Sequence, residues 1–158
     1  MSYTGQAPPL TKEETETMLK ESTIARICSH NTDGTIHATA VDYAYMNGQI
    51  VIGSIASSRK TRNIKRNNNV TVLIDNEKAQ GILIYGKARV EYNNVYQTAL
   101  SVWEKAIHAP RDKVERLVKA YLDTVKYVII KITPQHIVTF DTTKDDVFNN
   151  LVKTYIRE

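Results

Sequence analysis

Residues 35–66 read TIHATAVDYAYMNGQIVIGSIASSRKTRNIKR, and they decide the fold. Two runs rich in β-branched and aromatic residues, 35–45 and 49–54, flank Asn47-Gly48. That dipeptide is a strong hairpin signal, because both central positions of a type I′ turn need positive φ, which Asn and Gly adopt at least cost. The second run passes through a serine cluster into RKTRNIKR, where Ile64 is the one large aliphatic residue. A strand, a tight turn, a strand and a mostly solvent-facing helix over about 57–68 are therefore predicted in succession.

Working outward, TIARICSH at 23–30 followed by Asn31-Thr32-Asp33-Gly34 predicts a further hairpin ahead of that strand. Earlier still, Thr11 and Glu14 have the spacing of a capping box, which starts a short helix running to about Glu21. On the other side, NVTVLID alternates Val70, Val72 and Ile74, and a turn at 75–78 leads into GILIYGKARVEY. Helical spacing then runs from Asn93 to about His108, is interrupted at Pro110, and resumes with Val114, Leu117, Val118 and Tyr121. YVIIKI and HIVTF, separated by Pro134, predict a sixth strand with a kink or bulge. A C-terminal amphipathic helix over about 143–156 places Val147, Phe148, Leu151, Val152 and Tyr155 on one side, to cover the barrel or a second subunit.

The connections between most strands are too short for parallel crossovers. The fold expected is mainly β with peripheral helices, a six-stranded antiparallel barrel in one domain spanning 1–158. Nothing in the sequence has the length of a membrane-spanning helix, and MSYTGQAPPL lacks the apolar core of a signal peptide, so the expected location is the cytoplasm. The single cysteine, Cys28, has no internal disulfide partner and is expected to pack within a strand.

Charge is concentrated rather than spread. The net charge is +4, yet Arg59, Lys60, Arg62, Lys65 and Arg66 supply five positive charges without an acid among them, leaving the remainder at −1. Such a segment suits one small anionic ligand better than a nucleic acid, whose binding needs a broad basic face. Ser54, Ser57 and Ser58 supply hydroxyls just before a helix N-terminus, whose open N–H groups and partial positive charge favour a phosphate. Read alone, the pattern fits a solvated basic face as well as a phosphate site. Arg59 and Lys60 oppose the helix dipole and call for an anion more than Arg62, Lys65 and Arg66, which read as a solvated flank. The four histidines, His30, His37, His108 and His136, show no metal-ligand spacing, and no metal site is expected.

Three blocks, ARICSHNTDGTIHATAVDY, VIGSIASSRKTRNIKRNNNVTVLID and ILIYGKARVE, resemble in order the pyridoxamine 5′-phosphate oxidase-like family of FMN-binding split β-barrels, over roughly residues 11–140. The resemblance implies a homodimer with FMN in a groove between subunits, the deazaflavin F420 or haem being the alternative cofactors on this fold. It implies that Ser58, Arg59 and Lys60 hold the phosphate with help from Ser54. Thr39, Ala40, Val41, Ile52 and Gly53 would line the ring, largely through backbone groups. Gln80 lies near a ring-contacting glutamine of the family, and His37 is the histidine placed to act as a proton donor.

The chain also departs from the oxidase proper, which has an aromatic residue where Gly53 stands, an arginine near Thr39 and an arginine-bearing C-terminal strand. The implied function is therefore a flavin-dependent oxidoreductase acting on an unidentified small molecule, with no catalytic residue readable. Arg26 is expected to face the barrel interior or to pair with an acid. Asp42, Tyr43 and Tyr45 either shape a substrate pocket or pack within the strand. Trp103 and Tyr92 either lie against the ring from the partner chain or, as aromatics at helical spacing more often do, pack in the core.

Overall fold

The computed structural model describes residues 7–157; the two ends of the expected 1–158 domain, including most of MSYTGQAPPL, lie outside the described residues. In chain order the elements are α1 (Lys12–Glu21), β1 (Ile24–His30), β2 (Ile36–Met46), β3 (Gln49–Ile55), α2 (Arg59–Arg66), β4 (Asn69–Asp75) and β5 (Gln80–Glu91). They continue with α3 (Val95–Ala106), α4 (Arg111–Thr124), β6 (Tyr127–Asp141), a 3-10 turn (Thr142–Lys144) and α5 (Asp146–Ile156). The local signals act as read. Asn47 and Gly48 take φ of 51° and 74°, and Thr11 and Glu14 form the reciprocal capping box.

All strand pairs are antiparallel, and the order β1-β2-β3-β6-β5-β4 closes a barrel. Period-two alternation puts Ala25, Ile27, Tyr43, Ile50, Ile52, Val72, Ile74, Ile82, Ile84, Ile130 and Ile132 inside it. Each isoleucine so buried contributes about 1.5–3 kcal/mol. Outside, α3 packs Val102 against Ala44, Val51 and Ile129, and α4 packs Val114 and Val118 against Ala99 and Leu100. The expected break in β6 is a bulge: Tyr85 faces His136 while Gly86 faces Pro134, which leaves Gln135 as the extra residue. The strands come so close there that a Cβ on Gly86 would lie 2.8 Å from the Thr133 carbonyl oxygen.

Closure is incomplete at one seam. β2 and β3 pair only from Tyr43↔Ile52 to Met46↔Gln49. Beyond that point residues 36–42 pair with β1 alone, and 53–55 with β6 alone. Their facing edges carry backbone N–H and C=O groups that no strand engages.

The C-terminal helix begins at Asp146 rather than near 143, because two successive caps compete for this stretch. The Asp141 carboxylate accepts from the Thr143 N–H and nucleates the 3-10 turn, and Asp145 then accepts from the Phe148 N–H and starts α5. None of the residues of α5 is buried, and Phe148, Leu151 and Tyr155 are 57%, 52% and 76% exposed. Most of the apolar stripe is therefore left uncovered by the described residues.

Asp141 is fully buried and is the polar hub at this end of the barrel. It accepts from Gln80 Nε2 at 3.0 Å and from the backbone and hydroxyl of Thr143, with Lys144 Nζ 3.4 Å away. Burial raises its carboxyl pKa, but the bonds from Thr143, Gln80 and Lys144 outweigh that and hold it below the usual aspartate range. A carboxylate depressed in this way stabilises the fold fully above the ordinary aspartate pKa of about 4, and the contribution is lost as pH falls through the lower folded value. Asp141→Ala should cost about 2–4 kcal/mol in urea unfolding at pH 7. Asp141→Asn should also flatten the loss of stability between pH 4 and pH 2 relative to the parent; parallel acid profiles would contradict this role.

Candidate functional site

The seam between β2 and β3 collects the residues expected to line a ring. Thr39, Ala40 and Val41 lie on its β2 lip, while Gly53 and Ser54 lie on its β3 lip, just past the last β2–β3 pair. Their side chains do not share one face. Val41 packs on the barrel core, Thr39 is paired with inward-facing Ile27, and Ala40 is exposed beside Arg26. Ile52 is sealed in the core and paired on both sides, with Tyr43 and Ile130. It can contribute shape to a site but offers no open backbone group.

Gly53 has its missing Cβ filled from within the chain. A Cβ there would lie 2.1 Å from the Tyr127 hydroxyl oxygen and 2.5 Å from its ring. The close approach that glycine permits is thus made by Tyr127, whose hydroxyl is pushed up to about 12 by burial. Tyr127 in turn packs on Trp103 and Tyr121, with ring centroids 6.2 Å and 5.6 Å away. Trp103 is accordingly a packing residue, as expected. The contact of Gly53 with Tyr127 had no local signal, because it is a diagonal one across the β3–β6 ladder, where Gly53 is opposite Ile129 and Tyr127 opposite Ile55.

Beyond the seam, α2 closes the end of the barrel. Its Ile64 enters the core, and two polar residues that the sequence left as surface are buried with it: Thr61 at 0% and Asn63 at 4% exposure. The Thr61 hydroxyl lies 2.9 Å from Ser54 Oγ and 3.0 Å from Ser58 Oγ, with 2.9 Å between the two serines, and it donates to the Ile55 carbonyl at 3.1 Å. This ring of hydroxyls fastens the helix start to the end of β3. The spacing Ser58, Thr61, Ile64 was the available signal for a buried helical face.

The same geometry decides which donors are free. Ser58 Oγ caps the Thr61 N–H, and the Ser58 carbonyl accepts from the Arg62 N–H. The N–H groups of Arg59 and Lys60 are then the open donors of the first turn. Lys60 is half-buried and pairs with no carboxylate among the described residues, and desolvation lowers its pKa from the ordinary lysine value. Arg59 is exposed on another side of the helix, where it joins Arg62 and Arg66 along a cleft of about 450 Å³. Arg62 and Arg66 line that cleft while remaining exposed, as a solvated flank would, and Lys65 lies 5.1 Å from the centre of the Tyr92 ring.

The remaining expectations resolve as structure. Arg26 points out of the barrel and pairs with Asp75, while Cys28 is half-buried on the same outer face rather than in the core. Tyr43 is a core residue whose hydroxyl donates to the Leu19 carbonyl at 2.8 Å, and the buried, unbonded ammonium of Lys105 sits 4.2 Å from the centre of its ring. Tyr45 packs against the same core and Asp42 is exposed. Gln80 spends both ends of its amide on Asn76 and Asp141, so it is a turn-closing residue. His37 is half-buried across from Ser29, and His136 stacks on Tyr85 at 6.0 Å. No group of His, Cys, Asp or Glu among the described residues could hold a metal ion.

A cleft of about 600 Å³ along α1, lined by Glu13, Glu14, Glu21 and Lys78, shares no residue with the seam or with α2. No described helix is long and apolar enough to cross a membrane.

Known proteins place this geometry. A solved structure of a conserved hypothetical protein from Mycobacterium tuberculosis is similar with a TM-score of 0.77 at 21% identity, over 91% of this chain and 92% of that one. An F420 reductase is similar at 0.61 and 18%, over 77% and 94% of the two chains. A FAD-binding protein from Mesorhizobium loti is similar at 0.58 and 14%, over 84% and 94%. These likenesses show a common fold. No curated protein matches this chain in sequence. The family model described as pyridoxamine 5′-phosphate oxidase, however, matches residues 11–141, from the capping box of α1 to the buried hub Asp141, and the chain belongs to that family.

Proposed function

We propose that this chain is a flavin-binding split-barrel protein, one domain that works as a homodimer and serves as an oxidoreductase on a small molecule. The observation that carries the reading is Lys60, a half-buried ammonium with no carboxylate partner among the described residues, next to two open helix N–H groups. A phosphate there would supply the missing counter-charge. Arg59 adds a guanidinium able to engage two phosphate oxygens, and Ser58 and Ser54 fix the direction in which the helix start points. A ring extending from that phosphate would reach the seam, where Thr39, Ala40 and Val41 on one lip and Ile52, Gly53 and Ser54 on the other present backbone edges.

FMN, when bound, would supply the electron or hydride transfer, and the chain would supply binding and orientation. Tyr127, held against Gly53, would then be the floor beneath the ring rather than a group displaced by it. F420 carries a phosphate and suits the same cradle. The F420 reductase and the FAD-binding protein among the structural relatives support a flavin-type ligand.

A second copy of the chain supplies the natural cover for α5. Val147, Phe148, Leu151, Tyr155 and Ile156 are all about half exposed or more, a stripe too large for a helix left in water. The cofactor groove, on this reading, also lies between the two subunits.

Two outcomes test the reading. FMN should bind the purified protein saturably at micromolar concentration, on the order of common cofactor affinities. Arg59→Ala, Lys60→Ala should weaken it at least about tenfold, since a charge-assisted bond is worth about 1.5–3 kcal/mol. No saturable binding removes the function, and equal binding by the variant removes the phosphate assignment. In sedimentation, the parent should run as a dimer and Phe148→Asp, Leu151→Asp as a folded monomer. A monomeric parent would contradict the assembly, and a dimeric variant would remove α5 from the interface.

A further inference from the structure

The cations of α2 divide between two places. Arg59, Arg62 and Arg66 stand at i, i+3 and i+7 and so share one side of the helix, where they line the cleft against the β1–β2 turn. Lys60, the next residue after Arg59, is not part of that cleft. Among the described residues none of the three guanidiniums forms an ion pair. The one acid lining the cleft, Asp33, is already engaged: its carboxylate accepts from the Thr35 N–H at 3.0 Å and from the Thr35 hydroxyl at 2.6 Å.

The cleft is also braced. Arg62 donates to the Ser57 carbonyl, and Arg66 to the His30 carbonyl and to Asn63 Oδ1. Asn63, buried beneath them, donates to Ser29 Oγ at 3.2 Å and to Asn31 Oδ1 at 2.9 Å, which ties the helix to the facing turn. A guanidinium has five N–H donors in a rigid fork, so each arginine held by a carbonyl keeps donors to spare. Arg62 and Arg66 are anchored in this way in a concave surface, with Arg59 exposed beside them, which differs from a solvated basic face where side chains are free.

We infer that this cleft is a second anion subsite, which receives a further phosphate of the ligand whose first phosphate lies at Ser58 and Lys60. The inference rests on the flavin reading above and deepens it. Asp33, the one carboxylate lining the cleft, stays ionised and can balance one guanidinium, so a single phosphate at the helix start leaves the three arginines short of counter-charge. A diphosphate spans neighbouring subsites, and Arg59, at the boundary, can serve both. The ligand class is then a flavin dinucleotide in preference to FMN. The adenosine end would extend past the cleft.

The test is equilibrium binding of FMN and FAD to the full chain, the parent set against Arg62→Ala, Arg66→Ala. The parent should bind FAD at least about tenfold more tightly than FMN, with the steeper loss of affinity on raising salt. The double variant should lose that preference while keeping its FMN affinity. Because Arg66 also bonds Asn63, Arg62→Lys, Arg66→Lys serves as a second variant. It keeps the charge without the fork and should retain only part of the preference. Saturable FMN binding with no advantage for FAD in the parent would overturn the second subsite and leave the flavin reading standing. An equal fall in FMN and FAD affinity in both variants would place the first phosphate in this cleft and would likewise overturn the division. Failure of both flavins to bind the parent would overturn this inference together with the reading beneath it.

Discussion

Everything at the candidate site depends on how α2 is fastened to the end of the barrel. Ile64 supplies the apolar anchor, and its burial draws Thr61 and Asn63 inside with it. A buried hydroxyl and a buried amide must each find partners or cost about 1–3 kcal/mol. Thr61 finds Ser54, Ser58 and the Ile55 carbonyl; Asn63 finds Ser29 and Asn31. These bonds leave the helix one orientation. Its open N–H groups, its lysine and its arginines are placed by that constraint rather than by attraction among themselves, which like charges would not provide.

The barrel complements the helix by what it leaves unpaired. A fully zipped β2–β3 hairpin would satisfy every backbone group at the seam and offer a ligand only side chains. Pairing stops at Tyr43 and Ile52, where β3 turns to follow β6 and β2 stays with β1. The sheet therefore exposes edges next to the helix that holds the cations. Such edges invite aggregation unless something covers them, and a planar ligand and a second subunit are both suitable covers.

Much of the architecture was legible in local chemistry. Asn47-Gly48 fixed one hairpin through backbone φ, Thr11 and Glu14 fixed a helix start, and Pro134 announced the bulge in β6. These signals work at short range, where few residues determine the geometry. What escaped was long-range or depended on which face of an element turns inward. Of the two places open to Arg26, the barrel interior or a pair with an acid, the structure takes the pair, with Asp75 on the outer face, since β1 buries Ala25 and Ile27. That Arg62 and Arg66 line a cleft was not readable, because charge counts do not show that one helix face meets the β1–β2 turn. Tyr127 could not be matched to Gly53 without the β3–β6 register, and Gln80 was readable as a site residue only until Asp141 was seen to claim its amide. The start of α5 was misplaced because Asp141 and Asp145 are both good caps four residues apart.

The central claim is that a flavin phosphate sits on the first turn of α2. The most direct measurement is an amide-resolved NMR titration of the full chain with FMN. The backbone N–H groups of Arg59 and Lys60 should show the largest saturable shifts, with smaller ones along residues 39–41 and 53–54. Shifts centred instead on the α1 cleft around Glu13 and Glu14, with Arg59 and Lys60 unmoved, would contradict the account.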